Sequence, residues 1–187
     1  STNTTQVATN AVAPIDVSTM KYIRRSNATN VITNIVRVYF HDKQQFTGNA
    51  IKNDKDGTQS LISMQKGLWH GTFRIKYPGG KQTKYRVNYI QGLKNGAAYT
   101  WYADGTARSK SFYTNGFRVG PWTTFHSNGK TNKVKVLSTK IPGKVLRMAA
   151  FDLTGRPLTG KTPAGRKFQW QVNGTEAAKE LSYYKGR

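Results

Sequence analysis

Proton transfer and metal binding need imidazole, thiolate or carboxylate groups that converge. This 187-residue sequence holds few of them: His41, His70 and His126, eight acids and no cysteine. No histidine stands in an H-x-E or H-E-x-x-H setting of the kind that places zinc ligands. Asp54-Lys55-Asp56-Gly57 repeats the opening of a calcium loop, but the bidentate acid such a loop needs does not follow, so the segment reads as a turn. Between Gly57 and Phe151 the sole acid is Asp104, which leaves that stretch without the paired carboxylates of a glycosidase-like hydrolase. The expectation is therefore a non-enzyme with no catalytic residue, no metal site, no cofactor and no small-molecule substrate.

Positive charge is the chemistry present in abundance. Thirty Lys and Arg against eight Asp and Glu give a formal net charge of +22, and sixteen of those cations lie between residues 57 and 151. A field of that size draws anionic partners. Keeping a sheet edge soluble needs far less. Lys81, Lys84, Arg86, Arg108, Lys110, Lys130, Lys133 and Lys135 recur after glycine pairs. Stacked in register, they would form a basic stripe able to follow phosphates, sulfates or carboxylates along a polymer. Tyr99, Trp101, Trp122 and Trp170 recur at set positions and are assigned to core layers, whereas Trp69, the least regular, is the expected exposed contact.

The elements that would carry these side chains follow from a glycine frame. Gly71 to Gly80, Gly96 to Gly105 and Gly120 to Gly129 each enclose an aromatic-rich segment and are each preceded by another glycine, at Gly67, Gly92 and Gly116. Further copies open at Gly48, closing at Gly57, and at Gly165, closing at Gly174; a degenerate copy opens at Gly143 with Asp152 in the closing position. Gly79-Gly80, Asp104-Gly105 and Asn128-Gly129 suit tight type I′ turns, whose two central residues need positive φ. Phe73-Arg74-Ile75-Lys76-Tyr77 and Lys84-Tyr85-Arg86-Val87-Asn88-Tyr89 alternate apolar and polar residues as half-buried strands do. Each repeat is thus one hairpin. A hairpin cannot bury its apolar face alone, so the copies must stack.

Gly116-x-x-x-Gly120-x-Trp122-x-x-Phe125-x-x-Asn128-Gly129-Lys130 resembles the second type of MORN repeat, well over residues 67 to 133 and loosely over 44 to 66 and 134 to 175. The resemblance implies an all-β, elongated array of stacked hairpins that serves as an interaction scaffold. In an antitoxin-like branch of such repeats it implies a toxin-neutralising inhibitor.

Around the array the expected organisation is an extended polar tail over residues 1–22, a repeat domain of about six copies over 23–175 and a C-terminal cap over 176–187. Residues 31–40 read as a buried strand leading into the first repeat, and residues 175–184 carry a helical-turn pattern. No run of about eighteen apolar residues occurs. Ser1 fits removal of a leader or of an initiator Met, and an extracellular, cell-surface or virion setting is favoured over the cytoplasm. The functional expectation is a structural or adaptor component that docks onto protein subunits of a larger assembly through its repeat face and the tail around Val7 to Val17. The alternative is a module for nucleic acid, anionic polysaccharide or a membrane surface.

Overall fold

The computed structural model describes residues 13–29 and 32–158. The expected sixth repeat, the residue 176–187 cap, Gly174, Trp170 and the tail up to residue 12 lie outside them.

Ten strands form one open sheet: β1 (Ile15–Asp16), β5 (Gly48–Asn53), β6 (Gln59–Gln65), β7 (Leu68–Lys76), β8 (Thr83–Ile90), β9 (Leu93–Trp101), β10 (Ala107–Thr114), β11 (Phe117–Phe125), β12 (Thr131–Leu137) and β13 (Val145–Ala150). From β5 onward each strand pairs antiparallel with the next in sequence, as stacked hairpins require. The all-β array of hairpins expected from the glycine frame is the fold.

The loops differ from the expected type I′ turns. At 54–58, 102–106 and 126–130 the fourth residue donates its N–H to the carbonyl of the first, and only the glycine, Gly57, Gly105 or Gly129, has positive φ (80°, 90° and 80°). These are type I turns followed by a left-handed glycine, the three-residue hairpin connection. The reason lies in the preceding residue: the Asp56, Asp104 and Asn128 side chains accept the N–H two residues on, which favours the ordinary right-handed conformation there. Type I′ turns occur instead at the opposite hairpin ends, where Lys66-Gly67, Gln91-Gly92 and Asn115-Gly116 all have positive φ. Gly79 and Gly80 (φ 82° and 71°) share one loop behind Pro78.

The degenerate copy is displaced, not truncated. Gly143 lies in the connection between β12 and β13, corresponding to Gly67, Gly92 and Gly116, and the closing glycine is Gly155 (φ 87°) in the loop 152–156. Gly71, Gly96 and Gly120, which open the copies, sit inside β7, β9 and β11 with φ of 87°, 79° and 61°, each at a register shift in the ladder. They are β-bulges that side chains other than glycine rarely allow.

A second sheet, made of β2 (Lys21–Thr29), β3 (Ile32–His41) and β4 (Gln44–Gln45), crosses the type I′ ends. The Tyr39 N–H donates to the Gly67 carbonyl at 2.7 Å and the Gly67 N–H to the Phe46 carbonyl at 2.7 Å. Residues 31–40 are thus mostly strand, as expected, but they belong to this separate sheet and do not simply precede the first repeat. The expected tail boundary at residue 22 is also moved: Ile15–Asp16 pairs parallel to β5, Val17–Thr19 forms a 3-10 turn, and Ile15, Val17 and Met20 pack in the core. That core lies on one face of the large sheet and gathers Met20, Tyr39, Ala50, Ile62, Met64, Phe73, Val87, Tyr89, Ala98 and Tyr113.

Candidate binding face

Directly opposed residues in a ladder share a face. Following the pairs across the sheet gives Arg74↔Arg86, Arg86↔Tyr99, Tyr99↔Lys110, Lys110↔Thr123 and Thr123↔Val134. On β8 this face alternates with Tyr85, Val87 and Tyr89, so it is the one turned away from the core. Arg74, Arg86, Tyr99 and Lys110 therefore form a row at right angles to four neighbouring strands, spanning roughly 14 Å at the usual strand spacing. The Tyr99 ring holds the row together, with the Arg86 guanidinium 5.4 Å and the Lys110 ammonium 5.8 Å from its centroid. Beside Arg74 the surface is indented. One cavity of about 340 Å³ includes Thr72, Arg74, Arg86 and Tyr99 in its wall. An adjoining one of about 420 Å³ shares Thr72 and Arg74 and reaches Pro14.

No described acid answers these charges. Among the described residues the acids are Asp16, Asp42, Asp54, Asp56, Asp104 and Asp152, and none of them pairs with Arg74, Arg86 or Lys110. Four of these carboxylates are engaged locally: hydrogen bonds from a Ser or Thr two residues on hold Asp16, Asp56, Asp104 and Asp152 below the usual carboxylate range, with Arg156 adding to the effect at Asp152.

The eight cations expected to form one stripe are divided. Arg86 and Lys110 stand in the row, and Lys84 is two residues from Arg86 on the same face, its ammonium 5.5 Å from the Tyr77 ring. Arg108 lies against Tyr102 at 5.7 Å, and Lys81 is exposed in the loop after Gly80. Lys130 donates to the Thr154 carbonyl of the next loop. Lys133 and Lys135 are on the opposite face, since Lys135 pairs with Trp122, whose ring has Lys135 at 5.0 Å and Arg118 at 4.0 Å. The cause is parity. The loops 102–106 and 126–130 are equally long, but Lys110 is fifth after Gly105 whereas Lys133 and Lys135 are fourth and sixth after Gly129. One residue of offset moves a side chain to the other face. Arg74 was missed because it precedes its loop, although the alternation Phe73-Arg74-Ile75 already places it on the polar face.

The aromatic assignments are reversed in two places. Trp69, the expected exposed contact, is half-buried, stacked on Phe73 at 4.9 Å and edge-on to Tyr89 at 5.0 Å. Tyr99 lies on the open face, and Trp101 stacks beside it at 5.8 Å, outside the core cluster. Within the core, burial raises the Tyr85 and Tyr89 phenols, the latter to about 12, with Tyr113 adding to the effect at both.

His126 has a structural task. In three successive loops the first side chain reaches the carbonyl just before the next loop: Tyr77 to Trp101, Tyr102 to Phe125 and His126 to Phe151, at 2.9, 2.9 and 3.0 Å. His41 stands 3.5 Å from Asp42 and edge-on to Phe46. No family model matches this chain, and no curated protein matches it either.

Proposed function

We propose that this chain is a non-catalytic docking scaffold of the second MORN-repeat type, which holds an anionic polymer against the open face of its sheet as one component of a larger assembly. The observation that carries this reading is the Arg74–Arg86–Tyr99–Lys110 row, three cations preorganised across adjacent strands with no carboxylate among the described residues paired to them. Uncompensated charge of this kind is costly to gather unless a partner neutralises it, and releasing the partner's counterions makes the contact salt-dependent. The carboxylates bound into their own loops also support a scaffold over a hydrolase, because they are committed to the backbone.

The test is binding to heparin and to a single-stranded oligonucleotide across added salt. Affinity for at least one polymer should fall linearly on a log–log plot, with a slope near −2 to −3 for three contacts at about 0.7–0.9 each. The pair Arg74→Glu and Arg86→Glu should remove that binding. Lys133→Glu with Lys135→Glu, on the other face, should weaken it far less. Equal loss from both pairs, with thermal unfolding unchanged, would show that net charge and not the row does the binding.

A further inference from the structure

On the core side of the molecule, where the small sheet crosses the type I′ turns, lies a further concavity of about 440 Å³. Its position is set by a close approach. Gly92, with φ of 82°, has room for no side chain, because an added Cβ would stand 2.9 Å from Val36 on β3. The volume falls within the range of small-molecule pockets, roughly 300–1,000 Å³.

Its walls combine two chemistries. Arg24 and Arg37 are direct partners in the β2–β3 ladder, so two like charges face each other at a position where such pairs are unfavourable. Both are exposed, no described acid lines the cleft, and Arg37 is steadied over the Tyr22 ring at 5.1 Å. The large sheet adds aromatic rings, Trp69 and Tyr89 in edge contact at 5.0 Å, and Tyr39 of the small sheet stacks on Trp69 at 6.4 Å. The Trp69 indole N–H is buried without an acceptor among the described residues, a donor that native structures seldom leave unused.

We infer that this cleft binds a flat aromatic ring bearing a phosphate or carboxylate, of about the size of a nucleoside monophosphate. The two guanidiniums take the anion, for which their forked donors are suited, and the aromatic wall takes the ring. The site is independent of the open face, since it is built from the other side of the sheet and from a different pair of arginines.

Equilibrium dialysis with adenosine monophosphate and with naphthoate, beside adenosine and inorganic phosphate, tests the inference. One of the two ring-bearing anions should saturate the protein in the micromolar to low millimolar range, and adenosine and phosphate should each bind at least about tenfold more weakly, the loss expected for one missing charge-assisted contact or one missing ring. Whichever ring-bearing anion binds tighter assigns the acidic group. Arg24→Gln with Arg37→Gln should cost about tenfold or more, whereas Arg74→Glu with Arg86→Glu should leave this binding unchanged and abolish only polymer binding. Two results would overturn the inference: neither ring-bearing anion saturating the protein, or a saturation that survives loss of both Arg24 and Arg37. Arg24 and Arg37 are exposed, so their replacement leaves the fold intact, and circular dichroism checks this.

Discussion

The hairpins of this sheet turn in two ways, and the two ends are held by different forces. At one end are the two-residue turns 66–67, 91–92 and 115–116, with both residues left-handed, and β3 lies against Gly67 and Gly92 so closely that neither has room for a side chain. At the other end are longer loops with one left-handed glycine, or two in the loop of Gly79 and Gly80, stapled loop to loop by Tyr77, Tyr102, His126, Asn128 and Lys130. Glycines with nearly the same φ are therefore required for different reasons. At Gly67 and Gly92 both the space and the dihedral demand glycine, whereas at Gly129 only the dihedral does.

Alanine at the two kinds of glycine should separate these causes most sharply. In Gly67→Ala the new Cβ would meet the Tyr39 carbonyl oxygen at 2.7 Å, backbone that cannot swing aside. Together with φ of 75°, this should cost on the order of 3 kcal/mol and loosen the small sheet. Gly129 has nothing within 4 Å of that position, so Gly129→Ala should cost only the left-handed penalty, about 1 kcal/mol. Chemical denaturation of both variants makes the measurement, and equal losses would erase the distinction between the ends.

Removing a staple should have a similar or smaller effect. Tyr102→Phe deletes a part-buried hydroxyl that donates to the Phe125 carbonyl, for an expected loss of about 1 kcal/mol. The same loss without any change in amide exchange at the loop 126–130 would argue against coupling between successive loops.

Acid should produce the smallest effect, felt chiefly at the open end, where three of the four lowered carboxyls lie. The carboxyls of Asp56, Asp104 and Asp152 titrate below their ordinary range, chiefly because the Thr two residues on donates to each. Folding therefore weakens their hold on a proton. The stabilisation is complete above the ordinary carboxylate range and is lost as pH falls through the lowered values. Thermal unfolding followed from neutral to acid pH should show a shallow decline, reduced further in Asp152→Asn, whose parent carboxylate accepts from Thr154 and Arg156. A decline undiminished when Asp56, Asp104 and Asp152 are all replaced by Asn would place the acid sensitivity elsewhere.

Much of this architecture is local and so was legible in the residues. Glycine spacing marks where the chain turns, and the alternation in Phe73–Tyr77 and Lys84–Tyr89 marks strands with one polar face. The basic character of the array follows from the same stretch. The class of each loop was less legible, because Asp104 and Asn128 tolerate either handedness and their choice depends on a hydrogen bond two residues away.

By itself the sequence determined a stack of antiparallel hairpins with an excess of cations, since turn chemistry and period-two alternation act within a few residues. Only the tertiary structure decided which cations share a face. The strand register carries one face from Arg74 through Arg86 and Lys110 to Val134, so Lys133 and Lys135, one residue to either side of Val134, turn away. It alone also brought β3 across the hairpin ends and Arg24 beside Trp69, because those contacts join residues far apart in the chain whose pairing no local pattern records.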